Sequence, residues 1–319
     1  MRRRRLNKQL EGRVIKALSG FFTVETPEGS IVSQIPGRLK QTRRETDIVA
    51  AGDWVTISLN ADGTGTIEAV AERQAVLARS RPAGSYRQLQ QDREQVLVAN
   101  PDQLVFVFAI KKPATNLRKL DRYLVLAEMN KLPAIICVNK IDLASRQQAE
   151  ELFGLYAEIG YAVVYTSAKS GAGIGTLRSL LGGKLSVLTG SSGVGKTSLL
   201  NALQPDLGLK VRSVSQTTGK GLHTTRATEL FPLAEGGYVA DTPGIRGLAL
   251  FDVEPWELDA YFREIAPLVA DCQFSDCSHR HEPNCAVRTA VSAGKVAPVR
   301  YDSYLRLREE HESLDEAMF

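Results

Sequence analysis

The stretch LSVLTGSSGVGKTSLLNAL, residues 185–203, decides how the chain is read. Five apolar-patterned residues, 185–189, form a strand; a glycine-rich turn follows, and a helix begins by Thr197. Gly190 to Thr197 satisfy G-x-x-x-x-G-K-[ST] in full. Glycines let successive backbone N–H groups turn inward on phosphates, and the helix amino terminus adds the positive end of its dipole. The residues placed to cradle phosphate are Gly190, Ser191, Ser192, Gly193, Val194, Gly195, Lys196, Thr197 and Ser198. Lys196 would reach the β- and γ-phosphates, and the Thr197 hydroxyl would ligate Mg²⁺. The alternative is a glycine-rich turn without a ligand.

Three further segments fit one nucleotide. Asp241, in VADTPG, ends an apolar strand about 45 residues after Lys196, where a phosphate-loop enzyme places the acid that holds Mg²⁺. Pro243 and Gly244 then form a turn able to sense the γ-phosphate; an ordinary strand-ending turn is the plainer reading. In NKID (139–142), the Asp142 carboxylate can accept from guanine N1–H and the N2 amine together, a donor pair adenine lacks. Asn139 and the stem of Lys140 would brace the base. In TSAK (166–169), Ser167, Ala168 and Lys169 follow another strand, and the Ala168 backbone could meet guanine O6. A capped helix start is the plain alternative for NKID. The polar stretch 213–230 suits a switch loop, in which Thr225 or its neighbour Thr224 would give the metal a second hydroxyl. A mobile connector is the duller view of it. The guanine-reading segments precede the phosphate loop, the reverse of the usual succession.

Around this core the chain changes texture. Of 319 residues, 43% are hydrophobic and 24% charged, an ordinary globular balance with room for two or three domains. Residues 1–80 carry 13 Lys+Arg against 9 Asp+Glu and hold the whole net charge of +4; Arg2–Arg5 form a block suited to a polyanion or to a solvated arm. Five short strands punctuated by Gly, Pro and Asp, within 10–77, predict a small OB-fold barrel, a nucleic-acid platform or a packing module. The polar residues 81–102 read as a linker, and strands alternating with helices over 103–250 as one α/β domain with a parallel sheet. Residues 251–319 read as two helices flanking a Cys/His cluster, the first spanning 254–272. Cys272, Cys277 and Cys285 point to metal before disulfide. No apolar run approaches the roughly 20 residues a bilayer span requires, and the basic start lacks the apolar core of a secretory signal. A cytoplasmic protein without membrane attachment is expected.

The order guanine motif, Ala-Lys motif, phosphate loop, switch loop, D-T-P-G resembles the circularly permuted GTPases. GSSGVGKTSLLNAL, GKGLHTTRATEL, VADTPGIRGLAL and DCQFSDCSHRHEPNCAV are similar to the RsgA/YjeQ family of ribosome small-subunit-dependent GTPases. The resemblance implies a circularly permuted GTPase domain between an N-terminal OB-fold barrel and a C-terminal helical zinc-binding domain. It implies GTP/GDP and Mg²⁺ as ligands, GTP hydrolysis stimulated by the 30S subunit during its late maturation, and contact with 16S rRNA. It also implies one structural Zn²⁺ on Cys272, Cys277, His279 and Cys285, a closed set with no catalytic position. His281 rivals His279, and the family's C-x-H spacing favours His279. Many GTPases orient water with a glutamine after D-x-x-G; Ile245 and Arg246 stand here, so His223 becomes the candidate for that role, with an exposed loop histidine as the alternative. A monomer is expected. Two rival classes are an RNA-binding protein in which GTP is only a structural ligand, and a phosphate-loop kinase or ATPase.

Overall fold

A computed structural model describes residues 8–36, 48–79, 95–208, 228–241 and 253–316. The first strands are β1 (Gln9–Leu18), β2 (Phe21–Thr26), β3 (Gly29–Gln34), β4 (Trp54–Leu59) and β5 (Gly65–Val70). They pair in the order β1-β2-β3-β5-β4, and β4 returns to β1, closing a five-stranded barrel. Alternation puts Val14, Phe22, Val24, Val55, Ile57 and Ile67 inside, all buried. Closure requires Gly12: a Cβ there would lie 2.4 Å from the Glu25 carbonyl oxygen. A bulge in β1 between Val14 and Lys16 then bends the strand away from its barrel partner.

Next come β6 (Val76–Arg79) and β7 (Gln95–Ala99), an antiparallel pair. β7 lies within the stretch read as a linker. Its apolar run QVLVA is buried, and the polar residues before it had masked that run in the average composition.

The α/β region comprises β8 (Gln103–Ala109), α1 (Leu117–Met129), β9 (Ala134–Asn139), α2 (Arg146–Glu158), β10 (Ala162–Tyr165), α3 (Ile174–Leu181), β11 (Leu185–Thr189), α4 (Lys196–Leu203), β12 (Glu229–Pro232) and β13 (Tyr238–Asp241). Strand order is β10-β9-β8-β11-β13-β12, parallel except for β12. β8 is buried on both faces, the signature of a covered parallel strand. Phe106 and Phe108 pack with α1 and α2, while Val105 and Val107 pack with α3 and α4. α2 opens on a capping box in which Ser145 and Gln148 satisfy each other's backbone N–H. β12 also pairs with the bent end of β1 through Lys16 and Glu229, so barrel and α/β region share one sheet.

Beyond residue 252 the expected helix over 254–272 is replaced by two 3-10 segments, Pro255–Tyr261 and Ala266–Asp271. Pro267 lacks an N–H and its ring would clash with the carbonyl four residues back, so a continuous α-helix cannot pass it. α5 (Ala286–Ser292) and α6 (Pro298–Glu316) follow. Phe262, Ile265, Val287 and Tyr304 join the same buried cluster as Leu120, Phe153 and Tyr156, which fixes this region on α1 and α2. Among the described residues, no helix is long and apolar enough to cross a membrane.

Candidate nucleotide site and metal centre

The carboxyl ends of β9, β10, β11 and β13 face one rim, the usual ligand edge of an open α/β sheet. β11 stops at Thr189, and the turn Gly190–Gly195 leads into α4 at Lys196. The turn tolerates no side chain at two points. A Cβ on Gly190 would meet the Val107 carbonyl at 2.3 Å, and Gly195 sits at φ +97° with Asn139 Nδ2 only 2.5 Å from its Cβ position. The Lys196 ammonium folds over the turn, donating to the carbonyls of Gly190 (2.8 Å) and Ser191 (3.3 Å). Val194 is buried; Ser192 is exposed, and Ser191, Gly193, Thr197 and Ser198 are partly so.

The NKID segment reaches this turn directly. Asn139, 1% exposed at the end of β9, donates from Nδ2 to the Val194 carbonyl at 2.9 Å. Its Oδ1 accepts from the Ala168 N–H and the Thr166 hydroxyl, both at 3.3 Å. Lys140 takes the left-handed conformation, φ +63°, and its ammonium donates to the Gly193 carbonyl at 2.6 Å. Asp142 accepts a hydrogen bond from buried Ser167 at 2.6 Å, and Lys169 is exposed beside them. One asparagine therefore ties together the NKID and TSAK segments and the phosphate loop. The stretches read out of order in sequence form a single rim.

Asp241 ends β13 level with Leu188 of β11, so its backbone stands next to the start of the phosphate loop. The Asp241 side chain, and all of His223, Thr224, Thr225, Gly244, Ile245 and Arg246, lie outside the described residues.

Cys272, Cys277, His279 and Cys285 converge, with ligand atoms all within 4.8 Å of one another. His279 Nδ1 lies 3.6 Å from Cys272 Sγ and 3.4 Å from Cys285 Sγ, and the two sulfurs are 3.9 Å apart. A tetrahedral zinc with Zn–S bonds of about 2.3 Å has edges of about 3.7 Å, so the donor set fits that ion. His279, 0% exposed, belongs to this set; His281 is exposed. The other His279 nitrogen, Nε2, lies 3.2 Å from Asp259 Oδ2, a carboxylate placed to hold the imidazole with Nδ1 toward the sulfurs. Glu282 shapes the intervening turn, accepting from the backbone N–H of Ser278 (2.9 Å), Arg280 (3.0 Å) and His281 (3.1 Å), and from the Ser278 hydroxyl. Burial opposes its charge, but these donors hold the carboxyl well below the usual range. Burial pushes the Cys277 thiol up to about 12, so a metal must displace its proton on binding. Neither Asp259 nor Glu282 was legible beforehand, since no short motif links them to the ligands.

A second polar cluster was likewise unforeseen. Asp121 of α1, fully buried, accepts from Tyr156 of α2 (2.8 Å), from Arg300 (2.6 Å) and from Ser303 of α6. Arg300, also 0% exposed, bonds Glu264 at 2.6 Å. This network joins the C-terminal region to the helices behind the nucleotide rim.

Comparison with known proteins agrees with this geometry. Residues 70–251 match the model of the RsgA GTPase family, and residues 11–67 that of the RsgA N-terminal domain. The chain is 43% identical over 302 residues to the small ribosomal subunit biogenesis GTPase RsgA of Gemmatimonas aurantiaca, covering 94% of this chain and 96% of that one. With the protein of the same name from Caldanaerobacter subterraneus it shares 39% identity, covering 95% and 96%. The crystal structure of YjeQ from Thermotoga maritima superposes with a TM-score of 0.77 at 36% identity, over 95% of this chain and 99% of that one. YloQ, described as a circularly permuted GTPase, gives 0.74 at 33% identity, over 98% of both. A phosphate loop bonded to an NKID segment that precedes it in the chain, a closed barrel before them and a Cys₃His cluster after them thus place this protein in the RsgA family of circularly permuted GTPases.

Proposed function

We propose that this GTPase acts in late maturation of the small ribosomal subunit, that it binds the subunit with GTP, and that the subunit stimulates hydrolysis and so releases it. The observation that carries the reading is the bond from Asn139 to the phosphate loop, within a sheet that continues into the barrel. Relatives named for small-subunit biogenesis align over nearly their whole length. The barrel has an RNA-suited outer surface on which Phe21, Val32 and Trp54 are each about half exposed. With the basic arm at Arg2–Arg5, this surface would contact 16S rRNA, and the Cys/His module would add a second foothold.

In this mechanism the Gly190–Gly195 backbone and Lys196 would hold the β- and γ-phosphates, and Thr197, Thr225 and Asp241 would hold Mg²⁺, which when bound would supply positive charge beside the phosphates. Asp142 and Ala168 read guanine, and Asn139 and Lys140 brace the rim. Ser167 fixes the Asp142 carboxylate. Gly244 lets the switch turn respond to the γ-phosphate. His223 orients the attacking water, a task the aliphatic Ile245 cannot perform. Zn²⁺ on Cys272, Cys277, His279 and Cys285 is structural. The protein works in the cytoplasm as a monomer.

Titrating GTP hydrolysis with purified 30S subunits tests the reading. The expected result is slow turnover alone and a many-fold rise that saturates with subunit. An unchanged rate alongside full RNA affinity would instead support a binding protein for which GTP is a structural ligand.

A further inference from the structure

Lys119 lies in the first turn of α1, outside every motif described above, yet its ammonium donates to the Ser191 hydroxyl at 3.1 Å. Lys196 donates to the Ser191 carbonyl and to that of Gly190. Two lysines, one from α1 and one from α4, therefore converge on one dipeptide of the phosphate loop, Lys119 reaching across 72 positions to Ser191. Lys196 addresses the β- and γ-phosphates in such loops, so its resting place marks Gly190–Ser191 as the triphosphate end of the turn.

Lys119 is held there. Two residues further on, Asp121 is locked into the buried network with Arg300, Ser303 and Tyr156, which fixes the helix. The Lys119 ammonium also lies 5.6 Å from the Tyr123 ring centre. Neighbouring Arg118 and Arg122 pair with Asp302 and Glu310, whereas among the described residues Lys119 makes no carboxylate pair. A cation held by a neutral hydroxyl beside a phosphate loop is suited to an additional negative charge.

We propose that Lys119 is a second phosphate-loop cation, and that it gives the site its preference for guanosine triphosphate over the diphosphate. The proposal rests on reading Gly190–Thr197 as the phosphate site. Binding of the two ligands separates it from a purely structural role, because a residue that merely supports the loop would affect both alike.

The experiment is equilibrium binding of fluorescent GDP and of a fluorescent non-hydrolysable GTP analogue to the full chain, in the wild type and in Lys119→Met, Lys119→Arg and Lys196→Ala. Lys119→Met is expected to weaken the triphosphate about tenfold and the diphosphate less than twofold. Lys119→Arg should recover most of the difference, and the wild-type preference should shrink with added salt. Equal losses for both nucleotides, or no loss for either, overturn the proposal. If Lys119→Met lowers the melting temperature, Lys119→Gln is measured under the same criteria. Lys196→Ala is the control: if it leaves both affinities intact, the phosphate-site assignment itself fails and this inference falls with it.

Discussion

At the scale of single residues, the rim is built from side chains that hold backbone rather than from side chains alone. Asn139 is buried and bonded through both its amide nitrogen and its oxygen, so it sets the distance between the NKID and TSAK segments and the phosphate loop. Asp142 differs: Ser167 occupies one of its oxygens, leaving acceptor capacity toward the rim. Asp142→Asn keeps an acceptor for Ser167 but loses the paired acceptance that guanine needs. It is expected to weaken GTP binding roughly 100-fold or more, with any ATP binding unchanged. Competition binding with both nucleotides checks this; parallel losses would mean that Asp142 supports the loop instead of reading the base. Cys137, also in β9, is fully buried, and that burial pushes its thiol up to about 12, which favours the neutral form.

At the scale of elements, much was legible. The apolar period of 117–129, the serine cap before 146 and the run QLVFVFA each have a local cause, and each forms the expected element. Where sequence reading missed, the competing cause is equally local or wholly tertiary. Pro267 splits the segment after 254, a signal present in the sequence but outweighed by helical spacing. β7 was hidden by polar neighbours, and α3 follows a turn at Gly173 whose φ of +69° brings its α-carbon close to the Tyr165 carbonyl. The Asp121–Arg300 network had no signal, because its members lie about 180 positions apart. Its energetics are those of a buried ion pair. Removing Arg300 alone, as in Arg300→Met, leaves Asp121 and Glu264 without their cation and should cost about 3–5 kcal/mol in urea unfolding. Replacing Asp121, Glu264 and Arg300 together with apolar residues should recover much of that loss; strictly additive losses would show that the three do not act as a unit.

At the scale of the whole molecule, one sheet runs from the nucleotide rim into the barrel, and one buried cluster runs from α1 into the Cys/His region. The link at β1 and β12 is reinforced by Lys16–Glu229 at 2.9 Å and by the Tyr238 hydroxyl donating to Glu25 at 2.6 Å. The metal module has a pH dependence of definite sign. Without metal, the Cys277 pKa raised from 9.0 to about 12 means the fold favours the neutral thiol. That contribution is complete below about pH 9 and fades as pH rises toward 12. Metal binding reverses the requirement, because only the thiolate ligates. Zinc retention should therefore fall with decreasing pH, by roughly tenfold or more per unit, with protons released on loading. Chelator competition followed by a zinc-sensitive dye, between pH 6 and 8, measures it. Pre-treatment with chelator should also lower the melting temperature of the chain, since the Cys/His region shares its core with α1 and α2. A pH-independent retention, or an unshifted transition, would contradict a thiolate-held ion.

The sequence by itself determined most of the local units: the principal strands and helices of the α/β region, the five strands of the barrel, the phosphate loop and the ligand spacing. Each of these follows from propensity, periodicity or the stereochemistry of a few adjacent residues. Tertiary structure alone decided that Asn139 bonds Val194, that β1 bends onto β12, that Asp259 backs His279, and that Lys119 reaches Ser191. Those contacts join positions 20 to more than 200 apart, and only the packing of whole elements around a shared core brings such positions within bonding distance.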